Sequence, residues 1–240
     1  MRDPLRDPLR DPLNKLLILI ALPLFLCLAS CSEDDPAPLA PAETVFKAVF
    51  QKGMRPYPEY TAVTDVHLVE SRPDLNYNDN SGELAISSSQ QPGARIRLLM
   101  MFPIQGLLPA NIKIKEAVLT LIVRQCEGSG ILNVHRMESP WFERSATWND
   151  KGFEAWDGGE FDPAVMASIA SCDPDNRVLS IVLDPNLVRD WTRNDVLNRG
   201  LLLKFADEET NDAFTLFYDS DMVFSLERFR PYLTIYYTMD

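Results

Sequence analysis

Apolar and β-branched residues gather in short runs along most of the chain: Tyr60 to Val69, Leu84 to Ser88, Ile96 to Phe102, Ile114 to Val123, Ile131 to Val134, Val178 to Leu183, Gly200 to Phe205, Ala213 to Tyr218 and Tyr232 to Tyr237. Turn-forming residues separate most of them. Runs of this length, without long helical repeats between them, predict an all-β fold, an antiparallel β-sandwich of jelly-roll type rather than alternating β/α units. Side chains alternate faces along a strand, so Leu119, Leu121 and Val123 are expected on one face and Leu201 and Leu203 on another, meeting in a shared core. Two short connecting helices are also expected. One covers Pro163 to Ala170; the other covers Pro185 to Arg193, where Asp184 can cap the first turn and Pro185 suits the first helical position.

The N-terminal segment follows a different pattern. Arg2, Arg6, Arg10 and Lys15 precede an unbroken apolar run from Leu16 to Leu28. As a helix that run would reach roughly 20 Å, against a hydrocarbon core of about 30 Å, so it reads as the apolar part of a cleaved signal peptide over residues 1–30. Leu28-Ala29-Ser30-Cys31 has the form of a bacterial lipobox, in which the Cys31 sulfur takes a lipid. Acyl chains contribute about 0.8 kcal/mol per buried methylene, so several would hold the protein on a membrane. Arg-Asp-Pro-Leu occurs three times between Arg2 and Leu13 and brings acids into a region that should be basic, which points to a start codon placed too early. Residues 31–57 read as a lipidated tether, acidic at Glu33, Asp34 and Asp35 and stiffened by Pro36, Pro38 and Pro41. The sandwich is then expected over residues 58–240. The acids after Cys31 resemble a surface-export signal, so the expected place is the outer membrane with the domain at the cell surface; the periplasm-facing leaflet is the alternative.

Composition narrows the partners. Removing residues 1–30 takes away four basic and three acidic side chains, moving the formal net charge from −12 to −13. Phosphate contacts need a basic surface, so a nucleic acid is not expected as a partner. Once Cys27 is removed and Cys31 lipidated, Cys126 and Cys172 are the thiols that remain in an oxidising compartment. They form either a disulfide, contributing on the order of 4 kcal/mol through closure of a loop of about 45 residues, or two separately buried thiols.

Candidate chemistry is sparse. His67 and His135 are far apart and show no metal-ligand spacing, and no nucleophile elbow, phosphate-binding glycine loop or Cys-His pattern occurs. No catalytic residue and no cofactor is therefore assigned. The stretch holding Asp74, Asn78 and Asp79 gathers oxygen ligands that would suit a structural calcium ion, although such residues also make ordinary turns. Aromatic residues say more. The C–H faces of a sugar ring stack on aromatic rings while its hydroxyls bond a polar rim, which makes Trp141, Trp156, Phe161 and Tyr77 candidates for ligand contact. Trp148 and Trp191 read as core residues. Period-2 geometry places Arg95 with Arg97, and Lys113 with Lys115, each pair on one strand face, able to hold acidic sugars or simply solvated.

Several spaced motifs resemble the DNRLRE-type domain, also classed as carbohydrate-binding module family 96. They are Asn76-Tyr77, the run Arg97 to Phe102, Ala117 to Leu121, Trp141-Phe142-Glu143, Ala146-Thr147-Trp148-Asn149 and Trp156-Asp157-Gly158-Gly159-Glu160-Phe161-Asp162. Val188-Arg189-Asp190-Trp191, Asn198-Arg199-Gly200-Leu201 and Arg230-Pro231-Tyr232-Leu233 follow in the family's order. Asn78 and Gly152 stand where the family usually has Gly and Pro. The resemblance implies a jelly-roll-like sandwich that binds polysaccharide, alginate in some members, without catalysis. The expected function is thus a lipid-anchored surface lipoprotein that holds a polysaccharide. A structural or adhesive subunit with envelope protein partners is the second reading, and a polysaccharide-degrading enzyme the third.

Overall fold

The computed structural model describes residues 43–240 except 79–81, 174, 211 and 224. The expected signal segment, Cys31 and Asp79 lie outside the described residues. Among the described residues no helix is long and apolar enough to cross a membrane.

The chain forms an all-β antiparallel sandwich. Its strands are β1 (Phe46–Gln51), β2 (Thr64–Val69), β3 (Glu83–Ser88), β4 (Ile96–Met101), β5 (Ile112–Glu127), β6 (Ile131–Arg136), β7 (Ala167–Ala170), β8 (Val178–Leu183), β9 (Leu201–Phe205), β10 (Ala213–Tyr218) and β11 (Tyr232–Met239). One layer runs β1-β11-β5-β8 and the other β2-β4-β9-β6-β7. The 16-residue β5 turns the corner between them. Ile112 to Ile122 lie against β11 or β8, and from Val123 onward the strand pairs with β10, which carries β3 on its other edge. A register shift at Leu216/Phe217 accompanies the bend, as an irregularity of this kind raises local twist.

The main core fills the space between the layers. Leu119, Leu121, Leu233 and Ile235 from one side meet Leu98, Met100, Leu201 and Leu203 from the other, all but inaccessible to solvent. Burying each Leu or Ile contributes about 1.5–3 kcal/mol. The alternate residues of the second layer, Val66, Leu68, Leu99 and Leu202, point the opposite way and are equally buried, in a separate cluster. The uninterrupted runs Leu98-Leu99-Met100 and Leu201-Leu202-Leu203 have this cause: both faces of β4 and β9 are covered.

The helix expected at Pro185 is present as α1 (Pro185–Arg193), with Asp184 accepting the Asn186 N–H at 2.9 Å and Leu187, Val188 and Trp191 packed inward. The other expected helix is not. Within Pro163 to Ala170 the last residues form β7, because β6 offers an open edge whose backbone groups need partners; Ile169 pairs with Leu132, and the Ser168 hydroxyl donates to Asn133 across the strands at 2.7 Å. The sheet also begins earlier than the composition indicated. β1 falls within residues 31–57, expected to be tether, yet it pairs with β11 along its whole length and its Phe50 is fully buried. Its short alternation is masked by the Pro and Ala that precede it. A disulfide joins Cys126, near the end of β5, to Cys172 just beyond β7, 46 residues apart in sequence.

Candidate functional site

The long connection from Met137 to Asp162 lies over the outer face of β2, β4 and β9. Trp141, Trp148 and Trp156, only 5%, 3% and 9% exposed, pack there on Leu99, Leu202, Val66 and Leu68. Each indole N–H is satisfied internally: Trp141 donates to Arg199 O at 3.0 Å, Trp148 to the Asp157 carboxylate at 3.0 Å and Trp156 to Thr147 O at 2.8 Å. Trp141 and Trp156 are therefore not the stacking platforms expected of them. A bare stretch of sheet needed covering, and these rings provide the apolar area. Gly158 shows how tight the seam is: its φ is +65°, and a Cβ there would lie 2.7 Å from the Trp148 ring and 2.7 Å from Arg97 Nη1.

The expected basic stripe is likewise absorbed. Arg97 and Arg95 share a face, as alternation requires, but that face is the one covered by Trp148, with the two guanidinium carbons 4.8 Å and 5.4 Å from its ring. Arg97 is 8% exposed, donates through Nε and Nη2 to both oxygens of Glu208 at 2.8 and 2.9 Å, and through Nη1 to Gly158 O at 2.8 Å. Burial opposes the charge on Glu208, but Arg97 and then Lys204 hold its carboxyl below the ordinary range. Arg95 pairs with Glu70, its Nε 2.8 Å from the carboxylate. Lys113 and Lys115 are exposed on the opposite layer, at the start of β5, with Lys115 bonded to Glu43 at 2.6 Å. The two pairs thus do not make one basic surface, and Arg97 is not available to a ligand.

The remaining candidates are scattered. Phe161 is half-buried against the Trp cluster, with His135 at 4.9 Å and Arg97 at 5.6 Å. Tyr77 packs against His67, the ring centroids 4.9 Å apart and the planes tilted by 32°. Asp74 accepts from Asn149 Nδ2 at 2.9 Å, and the Asn78 backbone N–H donates to the Asn76 side-chain oxygen at 3.1 Å. Among the described residues no three carboxylate, His or Cys side chains gather in a way that could hold a metal.

Arg95 and Glu70 line one cleft of about 350 Å³, and a more polar cleft of about 480 Å³ is lined by Lys52, Thr64, Asn78, Glu143, Arg144 and Asp221 among others. Lys52 leaves the end of β1 and bonds Asp221 at 2.8 Å, and Glu143 Oε1 accepts the Asp65 backbone N–H at 3.0 Å. Burial, more than Lys52 and Arg144 can offset, pushes the Glu143 carboxyl above its ordinary value. Next to Glu143 in the chain, Phe142 stands 57% exposed and meets Phe153, 52% exposed, edge to face at 5.3 Å. Lys151 lies 5.5 Å from the Phe153 ring while bonding Glu154 and Glu160. The positive φ of Gly152, +108°, lets the chain turn tightly, and a Cβ there would press within 3.1 Å of Phe142.

Sequence reasoning weighed the Trp residues, named Asp219 and Asp221 only as a second spot for a calcium ion, and gave no ligand role to these Phe residues or to Asp65 and Glu143. Two signals were available. Phe142 follows a buried Trp, so in extended chain it points the other way. Asp65 is the one carboxylate inside the apolar run Tyr60 to Val69, an expensive placement without a purpose. No known family model matches the chain, and no curated protein matches it either.

Proposed function

We propose that this chain is a non-catalytic, lipid-anchored envelope lipoprotein whose sandwich holds a polysaccharide at the outer membrane, facing the cell surface. One observation carries the binding reading: an exposed Phe142–Phe153 pair directly precedes in the chain, through Phe142, the Glu143 and Arg144 that line a polar cleft whose volume lies in the usual range for small-ligand sites. The ring faces supply stacking for a sugar's C–H surface; Thr64, Asn78, Glu143 and Arg144 supply hydroxyl partners. The motif resemblance to the DNRLRE-type, carbohydrate-binding module family 96 domain supports the same reading, with the site moved away from the tryptophans. The lipobox at Cys31 and the acids behind it support the anchor and its placement. Metal and cofactor have no part in the proposal.

A structural or adhesive role in which the sandwich binds envelope proteins is favoured by a different observation. β8 pairs only with β5 among the described strands, and Val178 and Val182 are exposed on it, the kind of edge that accepts another chain. The deciding experiment is titration of the protein with neutral and acidic polysaccharides, following binding and product release together. Binding that Phe142→Ala and Phe153→Ala remove, with no product, supports the proposal. Product formation lost in Glu143→Gln would replace it with the enzyme reading, and a folded protein that binds no glycan would replace it with the adhesive one.

A further inference from the structure

Two carboxyl groups sit beneath the cleft without a counter-ion. Asp65, in β2, is 4% exposed and accepts the Ser220 N–H through Oδ2 at 3.1 Å. Asp219 directly precedes Ser220, and its charge acts on Asp65; it is 7% exposed, its carboxyl accepts the backbone N–H groups of Asp221 and Met222, and its Oδ1 is buried without a hydrogen-bond donor. Lys52, whose charge reaches both, bonds elsewhere, to Asp221 at 2.8 Å and Ser220 Oγ at 3.4 Å. The other charges facing the cluster are Glu143 and Arg144 from the long connection and Asp221 from the turn after β10. Two buried carboxylates linked through the Ser220 N–H, neither bonded to a cation, are strongly unfavourable, and one proton between them would remove the repulsion and provide the missing donor.

We propose that Asp65 and Asp219 share a single proton, carried by Asp65 and donated to Asp219 Oδ1, and that this proton fastens the turn at Asp219–Met222 to β2 under the cleft. Loss of the proton to solvent leaves two facing anions, loosens the turn together with the Asp221–Lys52 pair, and widens the cleft. The proposal does not depend on what the cleft binds. Burial first, and then the Asp219 charge, push the Asp65 carboxyl up to about 8; burial and then Asp221 raise Asp219 as well. The fold therefore binds this proton more tightly than the unfolded chain does. Its stabilisation is complete below the unfolded value near 3.8 and is lost as pH rises through about 8.

The test is carbon-detected NMR of the side-chain carboxyls in the ligand-free protein, from about pH 4 to about pH 10, beside thermal unfolding over the same range. An Asp65 carboxyl that titrates above about pH 7, with a midpoint lowered by about one unit or more in Asp219→Asn, is the expected result. Wild type should also lose about 5 °C or more of melting temperature between about pH 6 and about pH 9, a loss absent in Asp65→Asn, whose amide supplies the donor at every pH. Asp65 titrating below about pH 5 would overturn the shared proton. So would a midpoint that collapses on adding millimolar calcium and returns with chelator, because the pair would then belong to a cation.

Discussion

The two regions that flank the outer side of β2 deal with polar chemistry in opposite ways. Over β4 and β9, the tryptophan connection closes every account it opens: each indole N–H has an acceptor, Arg97 has Glu208 and Gly158, and the apolar faces are shut off from water. At the Asp65 end of the same strand, Asp219 Oδ1 lacks a donor, Glu143 and Asp219 are held above their ordinary range mainly by burial, and a cleft stays open. Large aromatics and arginines attract attention as binding residues, yet Trp141, Trp148, Trp156 and Arg97 are buried in the seam. On the function proposed above, ligand contact falls instead to phenylalanine, threonine and carboxylate side chains that look ordinary in sequence.

The contrast breaks if the tryptophan region tolerates damage. Trp148→Ala removes the ring that both arginines rest on and should cost about 3–5 kcal/mol of unfolding free energy in urea titration; a loss below about 1 kcal/mol would mean the seam is not a core. Next in size is the Cys126–Cys172 disulfide, which closes the β5 end onto the segment beyond β7. Replacing both with Ser should lower stability by about 2–4 kcal/mol, read from denaturation of the two proteins under identical conditions. Arg97→Ala comes third, at about 2–3 kcal/mol, because Glu208 loses its bidentate partner but keeps Lys204 at 2.8 Å. Glu208→Gln in the same background should recover part of that loss in a double-mutant cycle. The smallest effect sharpens the comparison from the other side: Phe142→Ala and Phe153→Ala, on exposed rings, should each change stability by about 0.5 kcal/mol or less.

The fold was legible because its code is local. Alternation at Ile114 to Val123 and the unbroken triplets at Leu98 and Leu201 name strands and even the number of faces they bury. The Asp184-Pro185 pair announces α1 for the same reason. Residues 163–170 misled because Pro163 imitates a helix start, whereas their fate is set by the open edge of β6, a partner distant in sequence. β1 was hidden because pairing with β11 is a long-range fact. The candidate site was less legible still. Whether Trp156 stacks on a ligand or on Leu202 depends on which surface lies beneath it, and no spacing within the connection encodes that. Asp65 meets the turn that carries Asp219 only because β2 and the segment after β10 converge, although the lone carboxylate in an apolar strand was a readable warning.

In the function proposed above, ligand contact belongs to Phe142, Phe153 and the cleft, not to the tryptophans. The most direct measurement is equilibrium binding of a polysaccharide panel to wild type, the Phe142→Ala/Phe153→Ala double variant and Trp156→Phe, each first shown to be folded by near-ultraviolet circular dichroism. Wild type and Trp156→Phe should bind with affinities within about threefold of each other, while the double variant loses tenfold or more, about 1.4 kcal/mol. Undiminished binding by the double variant, or its loss in a folded Trp156→Phe, would contradict it.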